Sequence, residues 1–91
     1  MSVAETIRRK LTDRLAPMEL SVVDESHKHA GHAGAREGGE THFAVTIVAE
    51  AFEGLSRVAR QRLVYDVLAA EIGAPIHALS LQTRTPAEHR P

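Results

Sequence analysis

Six histidines and no cysteine set the chemistry open to this 91-residue chain. Three of them crowd into His27-Lys28-His29-Ala30-Gly31-His32, with His42, His77 and His89 spread beyond. Neutral imidazole is therefore the one strong soft-metal ligand on offer. The lack of thiols excludes a disulfide, a cysteine nucleophile, a thiolate zinc site and a self-contained iron–sulfur cluster. His27, His29 and His32 form an H-x-H-x-x-H run whose neighbouring glycines let the backbone bend around an ion. That spacing matches no strong zinc pattern, so solvated side chains and metal ligands both stay open. A lone strand histidine such as His77 is open in the same way, as a packed ring or as a ligand. Carboxylates and hydroxyls are scattered with no nucleophile beside a base, and the expectation is that the protein is not an enzyme.

The elements that must position these rings can be read from periodicity. Ser2 and Glu5 form a capping-box pattern, and Val3, Ile7, Leu11 and Leu15 recur behind it every four residues. This predicts an amphipathic helix ended by Pro17, with Arg8, Arg9, Lys10 and Arg14 on its solvated side. Met18 to Asp24 alternates, with Met18, Leu20 and Val22 to one side. His42 to Ala49 alternates too, bringing Phe43, Val45 and Ile47 together; each run predicts a strand with one buried face. Between them, Glu25 to Glu40 is rich in glycine and histidine and free of large apolar residues. A connection that long is functional or disordered.

Phe52 to Ser56 reads as a turn into a second helix capped by Ser56. Leu63, Val64, Val67, Leu68 and Ile72 form its apolar face, Gly73 caps it and Pro75 stops it. Ile76 to Thr83 predicts a third strand with Leu79 and Leu81 inward and His77 at its rim. The segment from Thr85 onward is polar, and the expectation is a short helix or frayed coil. The order α-β-β-α-β predicts one α+β domain over 1–91, with two layers and a three-stranded sheet covered by helices on one face. If the third strand pairs alongside the first, His77 comes near the base of the histidine loop, where two imidazoles can meet one ion.

Hydrophobic residues are 43% of the chain but aromatics only 3%, so the core must be built from Leu, Val, Ile and Ala. The net charge of -1 gives no global field favouring nucleic acid. No apolar run approaches the roughly 20 residues a membrane helix needs, and no signal or lipidation motif is seen. The expectation is a cytoplasmic protein, a monomer or weak dimer when isolated, with no membrane partner.

Five blocks then fall in register with one known family. They are Asp24 to His32, Gly39 to Phe43, Phe52 to Ser56, Arg60-Gln61-Arg62-Leu63-Val64-Tyr65 and His77-Ala78-Leu79-Ser80-Leu81. In order and spacing the chain resembles the BolA family from about Glu5 to Glu88. The resemblance implies a fold similar to the type II KH domain and a monothiol glutaredoxin as partner. It also implies a [2Fe–2S] cluster bridging the pair, with none expected on the isolated chain. The family's histidine ligands match His29 and His77, with His32 in reserve; the glutaredoxin and its glutathione would supply thiolates. Histidine ligation raises a cluster's potential, as in Rieske centres. Because imidazole binds metal only when neutral, such ligation weakens as pH falls toward about 6.5.

His42 also matches a family histidine and reads as structural or loop-supporting, while His27 reads as solvent-facing. Gln61 departs from the histidine that family members usually carry there. The competing class is a DNA-binding transcriptional regulator that uses the KH-like fold, with Arg57, Arg60 and Arg62 approaching phosphates. Against it, Gly31-His32-Ala33-Gly34 lies in the wrong loop for a KH backbone clamp, and stacking aromatics are nearly absent. A partner-free zinc-binding loop is the third reading.

Overall fold

A computed structural model describes residues 2–25, 42–73 and 76–89. Ser2 opens helix α1 (Val3–Leu15), its hydroxyl accepting from the Glu5 N–H at 3.1 Å. The helix closes at Ala16, which takes a left-handed conformation at φ 44° and donates to the Thr12 carbonyl. Pro17 then prevents continuation, as its position predicts. Strand β1 (Glu19–Asp24) runs antiparallel to β2 (His42–Val48). A 3₁₀ turn (Glu50–Phe52) leads to helix α2 (Arg57–Val67), whose Ser56 cap accepts from Ala59 N–H at 3.1 Å. Strand β3 (Ala78–Arg84) then pairs parallel to β2, giving the sheet order β1-β2-β3.

The register explains how the core is filled. Val22 faces Val45 and Val45 faces Leu81, while Phe43 sits beside Leu79 and Ile47 beside Leu20. Residues paired across a sheet share a face. That face packs on Ile7, Leu11 and Leu15 of α1 and on Val64 and Val67 of α2 with Leu68 after it. Both helices thus cover one side of the three-stranded sheet, in the expected α-β-β-α-β order. The few aromatics matter out of proportion to their number: Phe43 and Phe52 are both fully buried.

Three expectations are corrected. Met18 does not join Leu20 and Val22; it is 57% exposed, because it lies before β1 begins, where its N–H bonds the Val48 carbonyl. Helix α2 stops at Val67, and Ile72 is left 40% exposed. Instead of continuing the helix, the chain folds back: Ile72 bridges Ile76, whose N–H bonds the Glu71 carbonyl and whose side chain enters the core. Gly73 does adopt positive φ, at 94°, but in this return rather than directly after α2. Lys10 pins the same corner to α1 through the Glu71 carboxylate at 2.7 Å.

The third correction concerns the tail. Thr85 is buried, and Thr85 to Glu88 forms a reciprocal capping box: Thr85 N–H donates to Glu88 Oε1 at 2.9 Å, and Glu88 N–H to Thr85 Oγ1 at 3.2 Å. His89 Nε2 meets the Glu19 carboxylate at the start of β1. The described part of the tail therefore straps one end of the sheet, where Val48, flanked in register by Glu19 and Arg84, is fully buried. The sequence Thr85-Pro86-Ala87-Glu88 carries the signal for this, a threonine three residues ahead of a glutamate with proline between.

Candidate functional site

The opposite end of the sheet is where β1 finishes and β2 and β3 begin. Glu25 N–H donates to the His42 carbonyl at 2.7 Å, which ties together the chain on either side of 26–41. His42 is paired with Ala78, so His77 stands one residue ahead of β3, exposed, beside the point where that segment re-enters the sheet. A pocket of about 210 Å³ lies here, lined by Glu25, His42, Phe43, Ala78, Leu79 and Ser80. His42 points away from the helix-covered face, half-buried, and its carbonyl helps to close the loop base.

His27, His29 and His32 lie outside the described residues. The topology nevertheless sets the span their segment has to cover. Strand β3 pairs with β2 and not with β1, so His77 is two strand spacings, about 10 Å, from the β1 end of the segment. His29 lies four positions beyond Glu25, and four residue steps reach about 13–14 Å when extended. The expected pairing of β3 beside β1 is not found; the other end of the segment, at His42, lies on the strand adjacent to β3, one residue along in register from His77. Among the described residues no three His, Asp or Glu side chains converge where they could hold a metal ion. A site on this chain therefore needs a donor from 26–41 or from a second protein.

The arginines of α2 divide. Arg57 and Arg62 are exposed. Arg60 is only 8% exposed, which removes it from the arginines able to approach phosphates. Its guanidinium donates to the Leu55 carbonyl at 3.0 Å, to the Thr83 carbonyl at 3.1 Å and to both Glu88 oxygens, the nearer at 2.7 Å. It also lies 6.0 Å from the Phe52 ring centre. Glu88 answers in kind: Arg60's hydrogen bond, and after it the Thr85 N–H, lower its carboxyl pKa to about 2 from the usual 4.5. Arg60 is a fastener between α2, β3 and the tail.

With this geometry in hand, the chain can be set against known proteins. Residues 11–88 match the family described as BolA-like protein. The fold superposes on the BolA domain of SufE1 from Arabidopsis thaliana with a TM-score of 0.86 and 49% identity, covering 97% of this chain and 96% of that one. The plant's SufE-like protein 1, chloroplastic/mitochondrial, is 51% identical over 86 residues; the match takes in 90% of this chain and 23% of that protein's length. BolA-like protein 1 of Homo sapiens is 48% identical over 88 residues, 97% of this chain and 61% of the human protein. A Vibrio cholerae protein named DNA-binding transcriptional regulator BolA is 43% identical over 86 residues, 94% of this chain and 77% of that protein. No helix among the described residues is long and apolar enough to cross a membrane. Shared sequence along nearly the whole chain and a shared fold give one conclusion: this chain belongs to the BolA-like family.

Proposed function

We propose that this chain is a cytoplasmic, non-enzymatic adaptor that binds a monothiol glutaredoxin and offers His29 and His77 to a [2Fe–2S] cluster bridging the two proteins. The observation that carries this reading is the placement of His77, exposed at the end of the sheet where the histidine-bearing segment leaves and returns. The donor set fits such a group. A chain without cysteine cannot hold the cluster alone, yet imidazoles can complete one whose remaining ligands are the thiolates of the glutaredoxin and glutathione. His32 is the reserve ligand. When bound, the cluster supplies a redox-active, transferable iron–sulfur unit; the chain's own part is to present neutral imidazoles from a fixed rim and a connecting segment.

Co-expression with a monothiol glutaredoxin tests this directly. A coloured complex is expected, with visible absorption and circular dichroism that change in His29→Ala and in His77→Ala. A coloured complex whose spectrum is unaltered in His77→Ala overturns the ligand assignment. DNA binding is the competing reading, favoured by the name of the Vibrio relative. It has lost Arg60 from its contact set, and a phosphate-driven complex would weaken steeply with added salt. A zinc-binding loop predicts tight metal uptake by the isolated chain.

A further inference from the structure

Among the described residues no strand pairs with the outer edge of β3, and a basic groove lies beside it. The Arg84 carbonyl accepts from Ala49 N–H at 2.9 Å, so the even-numbered peptides of β3 turn toward β2. The Thr83 carbonyl turns the other way, to Arg60 at 3.1 Å. Alternation directs the N–H and C=O groups of Leu79 and Leu81 outward with it. Among the described residues no side chain takes them. The other sheet edge differs, because Arg8 reaches across β1 to the Val22 carbonyl at 3.2 Å.

Alongside β3 runs a groove of about 750 Å³, walled by the first turns of α2 and lined by Leu55, Arg57, Gln61, Leu81 and Arg84 among others. Its lining holds three arginines and a single carboxylate, Glu88. That carboxylate is already taken up by Arg60. The Arg84 guanidinium bonds the neutral Gln82 Oε1, at 3.1 Å, and among the described residues neither Arg84 nor Arg57 forms an ion pair. The first turn of α2 carries no acidic residue, so the positive end of its dipole adds to the same field. A strand edge beside a helix wall is the geometry in which extended peptides add to a sheet: main-chain bonds hold them and flanking side chains select them.

We propose that this groove binds an extended acidic peptide segment of a partner protein, which adds to the sheet as a fourth strand on Leu79 and Leu81 while Arg57 and Arg84 hold its carboxylates. The arginines of the groove lie toward the Arg84 end of β3, while Leu79 also lines the pocket at the histidine rim, so the added strand runs up to that rim.

The probe is a fluorescein-labelled octapeptide alternating valine and glutamate, titrated by anisotropy and by amide NMR of the full chain. A lysine-for-glutamate octapeptide and a single-stranded oligothymidylate serve as comparisons. The acidic peptide is expected to bind and to slow hydrogen exchange at the Leu79 and Leu81 amides. Arg57→Glu and Arg84→Glu, both at exposed positions, are expected to weaken it about tenfold each, or about 1.4 kcal/mol, with amide spectra that stay folded. The proposal fails if the acidic peptide does not bind at low millimolar concentration or if the lysine peptide binds equally. It also fails if neither reversal weakens binding, if the oligonucleotide is preferred, or if exchange at Leu79 and Leu81 is unchanged.

Discussion

Arg60 and His77 differ in what surrounds them, and their substitutions should differ accordingly. The Arg60 guanidinium is tolerated out of water because two carbonyls and a carboxylate accept its protons. Arg60→Met keeps the apolar stem but strands those acceptors, and should cost about 2–3 kcal/mol in urea unfolding. Glu88→Gln should destabilise in the same direction. Its pH dependence follows from a carboxyl held at about 2 when folded against 4.5 when free. A lowered folded pKa means the contribution is complete above pH 4.5 and fades as pH falls toward 2. The stability gap between wild type and Glu88→Gln should therefore be constant near neutrality and shrink across that acid window. His77, exposed at the rim, should be replaceable by alanine within about 0.5 kcal/mol in the isolated chain. A loss of cluster signature in that variant would then report ligation and not unfolding.

At the level of elements, two ends of structure carry information. Ala16 closes α1 with φ 44°, a conformation that disfavours a side chain bearing Cβ. Glycine is at ease there, so Ala16→Gly should stabilise the domain by about 0.5–1 kcal/mol despite its greater freedom when unfolded. Thermal melting checks the sign. The 3₁₀ turn before α2 looks in sequence like a connection, yet its Phe52 is fully buried within the core. Phe52→Ala should cost about 3–5 kcal/mol by denaturant titration, as much as a strand residue. Caps and alternation were legible because each depends on neighbours within a few residues: Ser2 with Glu5, Ser56 with Ala59, Phe43 with Val45 and Ile47. The end of α2 was not. An apolar stripe running to Ile72 says nothing about Ile76 drawing the chain back into the core.

For the whole molecule, the hairpin of β1 and β2 is already closed by Glu25 and His42, whatever lies between them. Replacing 26–41 with Asn-Gly should leave a two-residue hairpin on the same hydrogen-bonded pair. The shorter closure favours folding by about 1–2 kcal/mol, so melting temperature should hold or rise. On the proposed function, the same variant should form no cluster with a glutaredoxin. The sequence alone determined the order of elements, most residues of each buried face and the restriction of strong soft-metal ligands to imidazole, since all three depend on residue type and local period. Only the tertiary structure decided that β3 lies beside β2, that Arg60 is internal and that the tail is strapped to the sheet. Each of those rests on residues distant in the chain, such as Arg60 with Glu88 and His42 with Ala78, whose meeting no local pattern encodes.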